Sequence, residues 1–327
     1  FTRRMEERGG SLPQHYAVSM IRQVATAFAL QDAHPVALQP PGSPNRSVYR
    51  CVIESETGAF ILEQVAAELV PRKREIAAAL SRLSEAGLCG VLVPHQGANG
   101  DLVVRVGQTW WIATRHVPSD PLPRPEWAHD GVRGEALAQW LLQLREATGN
   151  WHWRPSRIFR LELWLAELVT QLRRRDPTVL ARVRAPLRLA QEVLLQESNL
   201  PTAWAHGDLH PLNVLWQGQA VRAVIDWEFT GPKAELYDLA NLIGCAGIED
   251  PAALTGGLVC ALTRWLHLRG ILAEASWRAL PAYVLALRFA WLAEWLRSDD
   301  GEMIELECDY LELLLASQMT LLAAWAG

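Results

Sequence analysis

Lysine is the scarcest charged residue of this 327-residue chain: only Lys73 and Lys233 are present, and arginine supplies the rest of the 31 basic residues. The formal net charge of −5 gives no basic surplus, which argues against a protein that binds nucleic acid through its phosphates. The five cysteines form no C-x-x-C pair and predict reduced thiols in a cytoplasmic protein. The uninterrupted apolar runs are far too short to span a bilayer, so we expect no membrane association.

The length suffices for two lobes, and the apolar pattern changes along the chain. It predicts helices over about 16–30 and 72–85, with strands at 36–38, 48–53, 59–65, 91–93, 102–106 and 110–117. Four prolines within residues 118–125 suit a stiff connector. The remainder is predicted to be largely helical, with one β segment at 205–228 and helices at about 129–147, 160–174, 178–197, 236–245, 252–269, 276–297 and 303–325. We therefore predict an α+β fold with domains at 1–117 and 118–327.

The most informative segment is His206-Gly207-Asp208-Leu209-His210-Pro211-Leu212-Asn213, followed by Ile225-Asp226-Trp227-Glu228. Carboxylate and amide oxygens suit Mg²⁺ bound to phosphates, and a further carboxylate can orient an acceptor hydroxyl and take its proton. This spacing indicates an enzyme that moves a phosphoryl group from a metal–nucleotide complex to a hydroxyl.

The pattern H-G-D-x-H-x-x-N-[VI]-L, followed by I-D-[WF]-E, resembles the catalytic and metal-binding loops of the aminoglycoside phosphotransferase/choline kinase-like family, relatives of the protein kinases. The resemblance implies a protein-kinase-like two-lobe fold, with a small antiparallel-sheet lobe and a large, mostly helical lobe. It implies that Asp208 is the catalytic base and that Asn213 and Asp226 hold Mg²⁺. His206 would shape the loop, and Asp238 would brace it from the start of a helix. The phosphoryl donor would be ATP or GTP.

The same resemblance places a nucleotide at the N-terminal sheet. The segment 41–50 occupies the position of a loop that covers the phosphates, where small residues let backbone N–H groups reach phosphate oxygens. The strand at 110–117 occupies the position of the hinge that binds the base through its backbone. The candidate nucleotide-binding residues are Gly42, Ser43, Asn45, Arg46, Ser47, Arg50, Glu75, Thr114, Arg115 and His116.

One position departs from the family pattern. Glu63 stands where a lysine would contact the phosphates, and Glu75 on the next helix, the usual partner of that lysine, would repel it. In one interpretation Arg46, Arg50 or Lys73 replaces the missing cation and the enzyme is active. In the other, the protein is a catalytically weakened nucleotide- or metabolite-binding protein on the same fold.

A third interpretation comes from the histidines of the loop. His206, Asp208 and His210 stand at alternate positions and could bind zinc in a metallohydrolase. Pro211 would interrupt the strand that such a site needs.

The acceptor is expected to be a small molecule with a hydroxyl group, such as a sugar, an amino alcohol or an aminoglycoside-like compound. A tryptophan could stack on a sugar ring or hold a cationic amine against its face. A tryptophan stripe at helical spacing can equally be part of a core. Candidate contacts are Trp227, Glu228, Arg288, Trp291, Glu294 and Trp295. We expect a monomer or a homodimer.

Overall fold

The computed structural model describes residues 18–38, 40, 47–152, 155–156 and 159–326. Its contacts divide the chain into two compact units. Unit 1 comprises the described residues up to Pro121 together with Leu212–Glu228, and unit 2 comprises Leu122–Pro211 and the described residues from Phe229 onward. The domain boundary predicted after Val117 separates two lobes that are each continuous in sequence, whereas unit 1 also includes Leu212–Glu228. That boundary stays a prediction.

The strands of the described residues are β1 (His34–Val36), β2 (Tyr49–Ser55), β3 (Gly58–Val65), β4 (Val104–Val106), β5 (Thr109–Arg115), β6 (Thr202–Ala205), β7 (Val214–Gln217), β8 (Ala220–Val224) and β9 (Gly231–Ala234). The helices are α1 (Val18–Ala27), α2 (Val70–Glu85), α3 (Gly131–Thr148), α4 (Leu161–Arg175), α5 (Pro177–Arg182), α6 (Arg184–Leu195), α7 (Tyr237–Glu249), α8 (Gly257–Leu268), α9 (Glu274–Ser298), α10 (Gly301–Ala316) and α11 (Gln318–Trp325). Short 3₁₀ turns connect several of them.

Unit 1 is built on an antiparallel sheet of order β1-β2-β3-β5-β4. Because successive side chains of a strand point to opposite faces, each strand supplies residues to both sides of this sheet. One face packs against α1, where Phe28 meets Phe60 and Leu62 in a buried cluster. The other face is therefore free to line a cleft with α2 and the β7–β8 hairpin, which also belong to unit 1.

Unit 2 is mostly helical and contains the two-stranded pairing of β6 with β9. β9 was missed from the sequence because Gly231-Pro232-Lys233-Ala234 has little strand propensity. It is extended because it pairs with β6, from Thr202 opposite Ala234 to Ala205 opposite Gly231. This pairing holds the segment that follows β6, which carries the H-G-D motif.

Several predicted elements differ in the structure, among them one strand and one helix. The predicted strand at 91–93 is an isolated bridge between Val91 and Val224, since the positive φ of Gly90 and the ring of Pro94 confine it. The predicted helix at 178–197 is two helices that meet at Val183. Pro186 explains the break, because it has no N–H to donate to the carbonyl four residues earlier.

Among the described residues, α9 is long and apolar enough to cross a membrane by length and composition, which the sequence analysis did not foresee. However, 61% of its most apolar stretch is buried inside the protein. The helix also carries Arg288, whose Nε and Nη2 atoms lie 2.7 and 2.6 Å from the carboxylate of Glu307. A buried, ion-paired helix of this kind is typical of the core of a folded domain.

Candidate active site

The H-G-D loop of unit 2 is held by one buried carboxylate. Asp238, the second residue of α7, accepts the backbone N–H of His206 at 2.7 Å and that of Gly207 at 2.9 Å. The backbone N–H of Asp208 donates to Nδ1 of His206 at 3.2 Å, and the His206 side chain is fully buried. These hydrogen bonds tie the loop to the start of α7. They fix the backbone that leads into the partly exposed Asp208.

Glycine is required at position 207. Its φ of +84° lies in the left-handed region, and an added Cβ would lie 2.3 Å from the carbonyl oxygen of Phe229. No side chain fits there without moving backbone. The close approach of the two backbone segments thus explains the middle residue of the motif.

The charge of Asp238 is costly to bury. Burial raises its pKa from 3.8 to about 6, while the two N–H donors and the nearby Lys233 act in the opposite direction. Lys233 lies on β9, and its Nζ is 4.9 Å from the ring centre of Tyr237. Asp238 is therefore ionised at neutral pH, as a double acceptor needs to be.

The two predicted metal ligands both lie in unit 1. Asn213 is buried, and its backbone carbonyl accepts the N–H of Ile225 at 2.9 Å, which brings it next to Asp226. Asp226 has a φ of +68°, a left-handed conformation that aspartate tolerates better than most residues. One amide and one carboxylate oxygen fit Mg²⁺, which keeps several waters and takes phosphate oxygens for its other positions.

A cleft of about 980 Å³ lies entirely within unit 1, on the sheet face opposite α1. One part of its wall is apolar and includes Ile61, Leu92, Ile112 and Leu215. The other part is charged and includes Arg50, Glu63, Lys73, Asp226 and Glu228. An apolar part beside a charged part suits a molecule with a planar base and a phosphate chain.

The expected repulsion between Glu63 and Glu75 does not occur. Lys73 of α2 lies between two carboxylates, with its Nζ 2.8 Å from Glu63 and 2.5 Å from Glu228. Glu75 instead lies 3.5 Å from Nη1 of Arg72 and does not line the cleft. In this ion pair β3 therefore carries the acidic residue and α2 carries the basic one. The family pattern has the opposite arrangement, with a lysine on the strand and a glutamate on the helix.

The hinge prediction needs one correction. Thr114 and Arg115 line the cleft, but the N–H of His116 donates to the carbonyl of Ala59 at 2.9 Å. Since backbone groups of an extended segment alternate in direction, those of His116 point toward the sheet. Val117, which the sequence analysis left out, lines the cleft instead.

The loop predicted to cover the phosphates lies mostly outside the described residues. This holds for Gly42, Ser43, Asn45 and Arg46. Ser47 and Arg50, which follow them, line the cleft.

Trp227 and Glu228, predicted to contact the acceptor, lie in the unit 1 cleft. Trp227 is 4% exposed and donates its indole N–H to the carbonyl of Val224 at 2.9 Å. Glu228 is bound to Lys73 and its backbone carbonyl accepts from Arg72 at 2.8 Å. The structure therefore places both in the wall of the unit 1 cleft.

The remaining acceptor candidates lie on α9 in unit 2, and most are already occupied. Arg288 is 1% exposed and bound to Glu307, and the indole N–H of Trp295 points at the same carboxylate. Both are core residues, which corrects the predicted acceptor contacts. Glu294 is bound to Arg297 one turn along the helix.

Trp291 differs from Arg288 and Trp295 because it is only partly buried. Its ring lies edge-on to that of His210, with centres 5.5 Å apart. It also stacks on Trp295 at 6.0 Å. Since His210 is two residues from Asp208, Trp291 is the α9 candidate that lies beside the H-G-D loop.

No group of three or more His, Cys, Asp or Glu side chains placed to hold a metal occurs in the part of the chain that the structure describes. His206 is buried and bonded to the Asp208 backbone. The described residues thus do not supply the three-ligand zinc site that a metallohydrolase uses.

A small antiparallel-sheet unit with a charged cleft and a mostly helical unit with a braced H-G-D loop define a protein-kinase-like fold. Residues 38–270 match the Phosphotransferase enzyme family, and the chain belongs to that family. The family and the fold class expected from the sequence are thereby confirmed.

Two curated relatives share moderate identity with the chain. A homoserine kinase from Beijerinckia indica subsp. indica is 30% identical over 184 residues, which are 54% of this chain and 56% of that kinase. A homoserine kinase from Granulibacter bethesdensis is 31% identical over 185 residues, with the same coverage. The chain thus spans about half the length of the curated relatives it matches.

Solved structures share the fold at low identity. An amicoumacin kinase in complex with AMP-PNP and Ca²⁺ has a TM-score of 0.65 and 15% identity, and the match covers 92% of this chain and 94% of that one. A choline/ethanolamine kinase family protein from Mesorhizobium loti has a TM-score of 0.62 and 19% identity, covering 94% and 99%. At these identities the likeness concerns the fold alone.

Proposed function

We propose that this protein is a small-molecule kinase that transfers the γ-phosphoryl group of ATP or GTP to a hydroxyl group. The observation that carries the proposal is the H-G-D loop held by Asp238, in a chain that belongs to the Phosphotransferase enzyme family. The loop fixes Asp208 through its neighbours and leaves this residue partly exposed. Such an arrangement serves a residue that must meet a substrate.

In this proposal Asp208 accepts a hydrogen bond from the acceptor hydroxyl and orients its oxygen toward the phosphorus. It takes the proton late, because little base strength is needed when the transferred group dissociates early. His206 and Asp238 do not touch the substrate. They keep the loop in place so that the carboxylate does not have to be ordered during each turnover.

Asn213 and Asp226 would hold Mg²⁺, which neutralises negative charge on the phosphates. Asn213 contributes an amide oxygen from a buried position, and Asp226 contributes its carboxylate from the wall of the cleft.

The apolar part of the unit 1 cleft would hold the nucleotide base. Arg115 and Val117 stand on either side of His116, whose N–H is used by the sheet. Backbone groups of Arg115 and Val117 would therefore face the base, because extended backbone alternates in direction. Hydrogen bonds to these groups, and not to side chains, would set the preference for ATP or GTP.

Homoserine is the first acceptor to test, because the curated relatives that share about half their length with this chain are named homoserine kinases. The structure favours a small acceptor over a polycation. Near Trp291, the acids Glu294 and Glu307 are already paired with Arg297 and Arg288. Amino sugars and other amino alcohols follow as candidates, and cytoplasmic location and a monomeric or dimeric state remain predictions.

The competing function is a nucleotide- or metabolite-binding protein with weakened catalysis, suggested by Glu63. The negative charge of Glu63 prompted this alternative, and the ion pairs of Lys73 with Glu63 and Glu228 offset that charge. The cleft thus keeps basic residues at positions other than β3: Arg50 lies on β2 and Lys73 lies on α2.

The test is release of ADP from ATP with Mg²⁺ and, in turn, homoserine, amino alcohols, amino sugars and aminoglycosides. The expected result is Mg²⁺-dependent ADP release that needs one acceptor class, with a phosphate ester detected by ³¹P NMR. Asp226→Asn serves as the control that should lose metal-dependent release. Nucleotide binding with no Mg²⁺-dependent transfer, either to an acceptor or to water, would contradict the proposal and support a binding protein.

A further inference from the structure

We propose that Arg50 binds the α- and β-phosphates of the nucleotide, in place of the lysine that β3 lacks. This inference rests on the proposed function and deepens it. It assigns the phosphate-binding cation to β2, the strand next to the one that carries it in the family pattern. Lys73, the other described residue considered as a replacement for the missing cation, would have a different role.

The register of the sheet brings Arg50 to the required place. In the antiparallel pair of β2 and β3, Arg50 stands directly opposite Glu63. Side chains at directly opposite positions start about 5 Å apart and point to the same face of the sheet. Arg50 and Glu63 both line the cleft, so a guanidinium from β2 reaches the region where the β3 lysine would otherwise lie.

The electrostatics of the cleft point to the same residue. Burial lowers the pKa of Arg50, whereas the charges of Glu63 and Asp226 raise it. Arg50 therefore interacts electrostatically with Glu63, the acid on β3, and with Asp226, the proposed metal ligand. A phosphate chain bound to Mg²⁺ at Asp226 would bring its oxygens next to this guanidinium, whose fork can hold two oxygens at once.

Lys73 is bound too tightly to serve the phosphates. Its Nζ contacts Glu63 at 2.8 Å and Glu228 at 2.5 Å, and only 11% of its side chain is exposed. If it turned toward a nucleotide, two carboxylates would be left facing a triphosphate, which like-charge repulsion opposes. Lys73 thus neutralises the acids of the cleft, and Arg50 supplies the charge for the ligand.

The test is equilibrium binding of Mg·ADP, Mg·ATP and adenosine, measured by calorimetry. Arg50→Gln should weaken both phosphorylated ligands about 10- to 100-fold, the loss expected for a hydrogen bond to a charged group, and leave adenosine unchanged. Arg50→Lys keeps the charge without the fork and should lose less. Arg105→Gln removes an arginine from β4, outside the cleft lining, and should bind all three ligands like the wild type.

The sharpest test moves the positive charge from β2 to β3. In the Arg50→Gln background, Glu63→Lys restores the cation on β3 and leaves Glu228 for Lys73, so it should recover much of the lost Mg·ADP affinity. Lys73→Gln combined with Glu228→Gln removes the lysine together with one of the acids that it neutralises, so the net charge of the cleft is kept. This charge-neutral variant should lower the unfolding temperature without selective loss of affinity for the phosphorylated ligands.

Three outcomes would overturn the inference: Arg50→Gln that binds Mg·ADP like the wild type, equal losses for adenosine and Mg·ADP in Arg50→Gln, or a selective loss of Mg·ADP affinity in the charge-neutral variant Lys73→Gln/Glu228→Gln instead. If Arg50→Gln does not fold, the comparison of Arg50→Lys with the double variant decides in its place. Wild-type protein that binds no nucleotide would refute the proposed function itself and is recognised before any variant is made.

Discussion

Replacing Asp238 with asparagine separates the functional role of this carboxylate from its effect on stability. A pKa raised from 3.8 to about 6 means that the ionised form costs the fold about 3 kcal/mol, at 1.36 kcal/mol per pKa unit. Asparagine removes this cost. It also turns an NH₂ group toward one of the two N–H donors, His206 or Gly207, which costs about 1–3 kcal/mol.

The two effects on stability nearly cancel, so the unfolding midpoint should move by only a few degrees. Turnover should fall about 10- to 100-fold, because a hydrogen bond to a charged group that holds the Asp208 loop is lost. The assays are a thermal melt and acceptor-dependent ADP release at neutral pH. Asp176→Asn, which alters a helix cap at α5, is the matched control and should keep full turnover.

Two results would refute this reasoning. Wild-type turnover in Asp238→Asn would show that the brace does not matter for transfer. A large fall in the unfolding midpoint, well beyond a few degrees, would show that the ionised carboxylate stabilises the fold.

Two further predictions concern the same loop. Gly207→Ala should abolish turnover and destabilise the protein by several kcal/mol, since its Cβ would lie 2.3 Å from the carbonyl oxygen of Phe229. The control is Gly107→Ala, because Gly107 has a similar positive φ and open space around it. This control should cost only about 1–2 kcal/mol in a thermal melt. If both variants melted alike and stayed active, the close approach would not be what requires glycine. Turnover should also fall as the pH drops through about 6, because protonated Asp238 is a poorer double acceptor. Protonation removes the cost of burying this charge, so the contribution of Asp238 to stability is greatest below its unfolded pKa and declines as pH rises through about 6. The loss of activity at acid pH should therefore not arise because protonation of Asp238 unfolds the protein. A pH–rate profile between about pH 5 and 8 checks this, and a profile that stays flat to the acid end would contradict it.

Local motifs carried most of what the sequence predicted correctly. The strands β2, β3 and β5 follow from runs of β-branched and aromatic residues, and the H-G-D loop is defined within a few positions. β9 could not be predicted in this way, because its extended form comes from pairing with β6 and not from its own residues.

The charges of the cleft show a limit of another kind. Family spacing suggested that Glu63 would face Glu75, but a shift of two positions along α2 brings Lys73 there instead. Whether a helix presents position 73 or 75 to a strand depends on how it packs, which periodicity alone does not fix. The ion pair of Glu63 could therefore be found only in three dimensions.

The acceptor side shows the same limit. Helical spacing correctly puts Arg288, Trp291 and Trp295 near one another on α9. It does not show that Glu307, on α10, holds Arg288 inside the core. A partner that lies on another helix decides which of these side chains is available to a substrate.

The most direct test of the central claim compares wild type with Asp208→Ala in two measurements on the same preparations. These are the dissociation constant for Mg·ATP and the rate of acceptor-dependent ADP release with the acceptor that the screen identifies. We predict an unchanged dissociation constant and a loss of turnover of at least about 100-fold, as expected when a general base is removed. Turnover equal to the wild type would show that Asp208 is not the base and would contradict this account of the site.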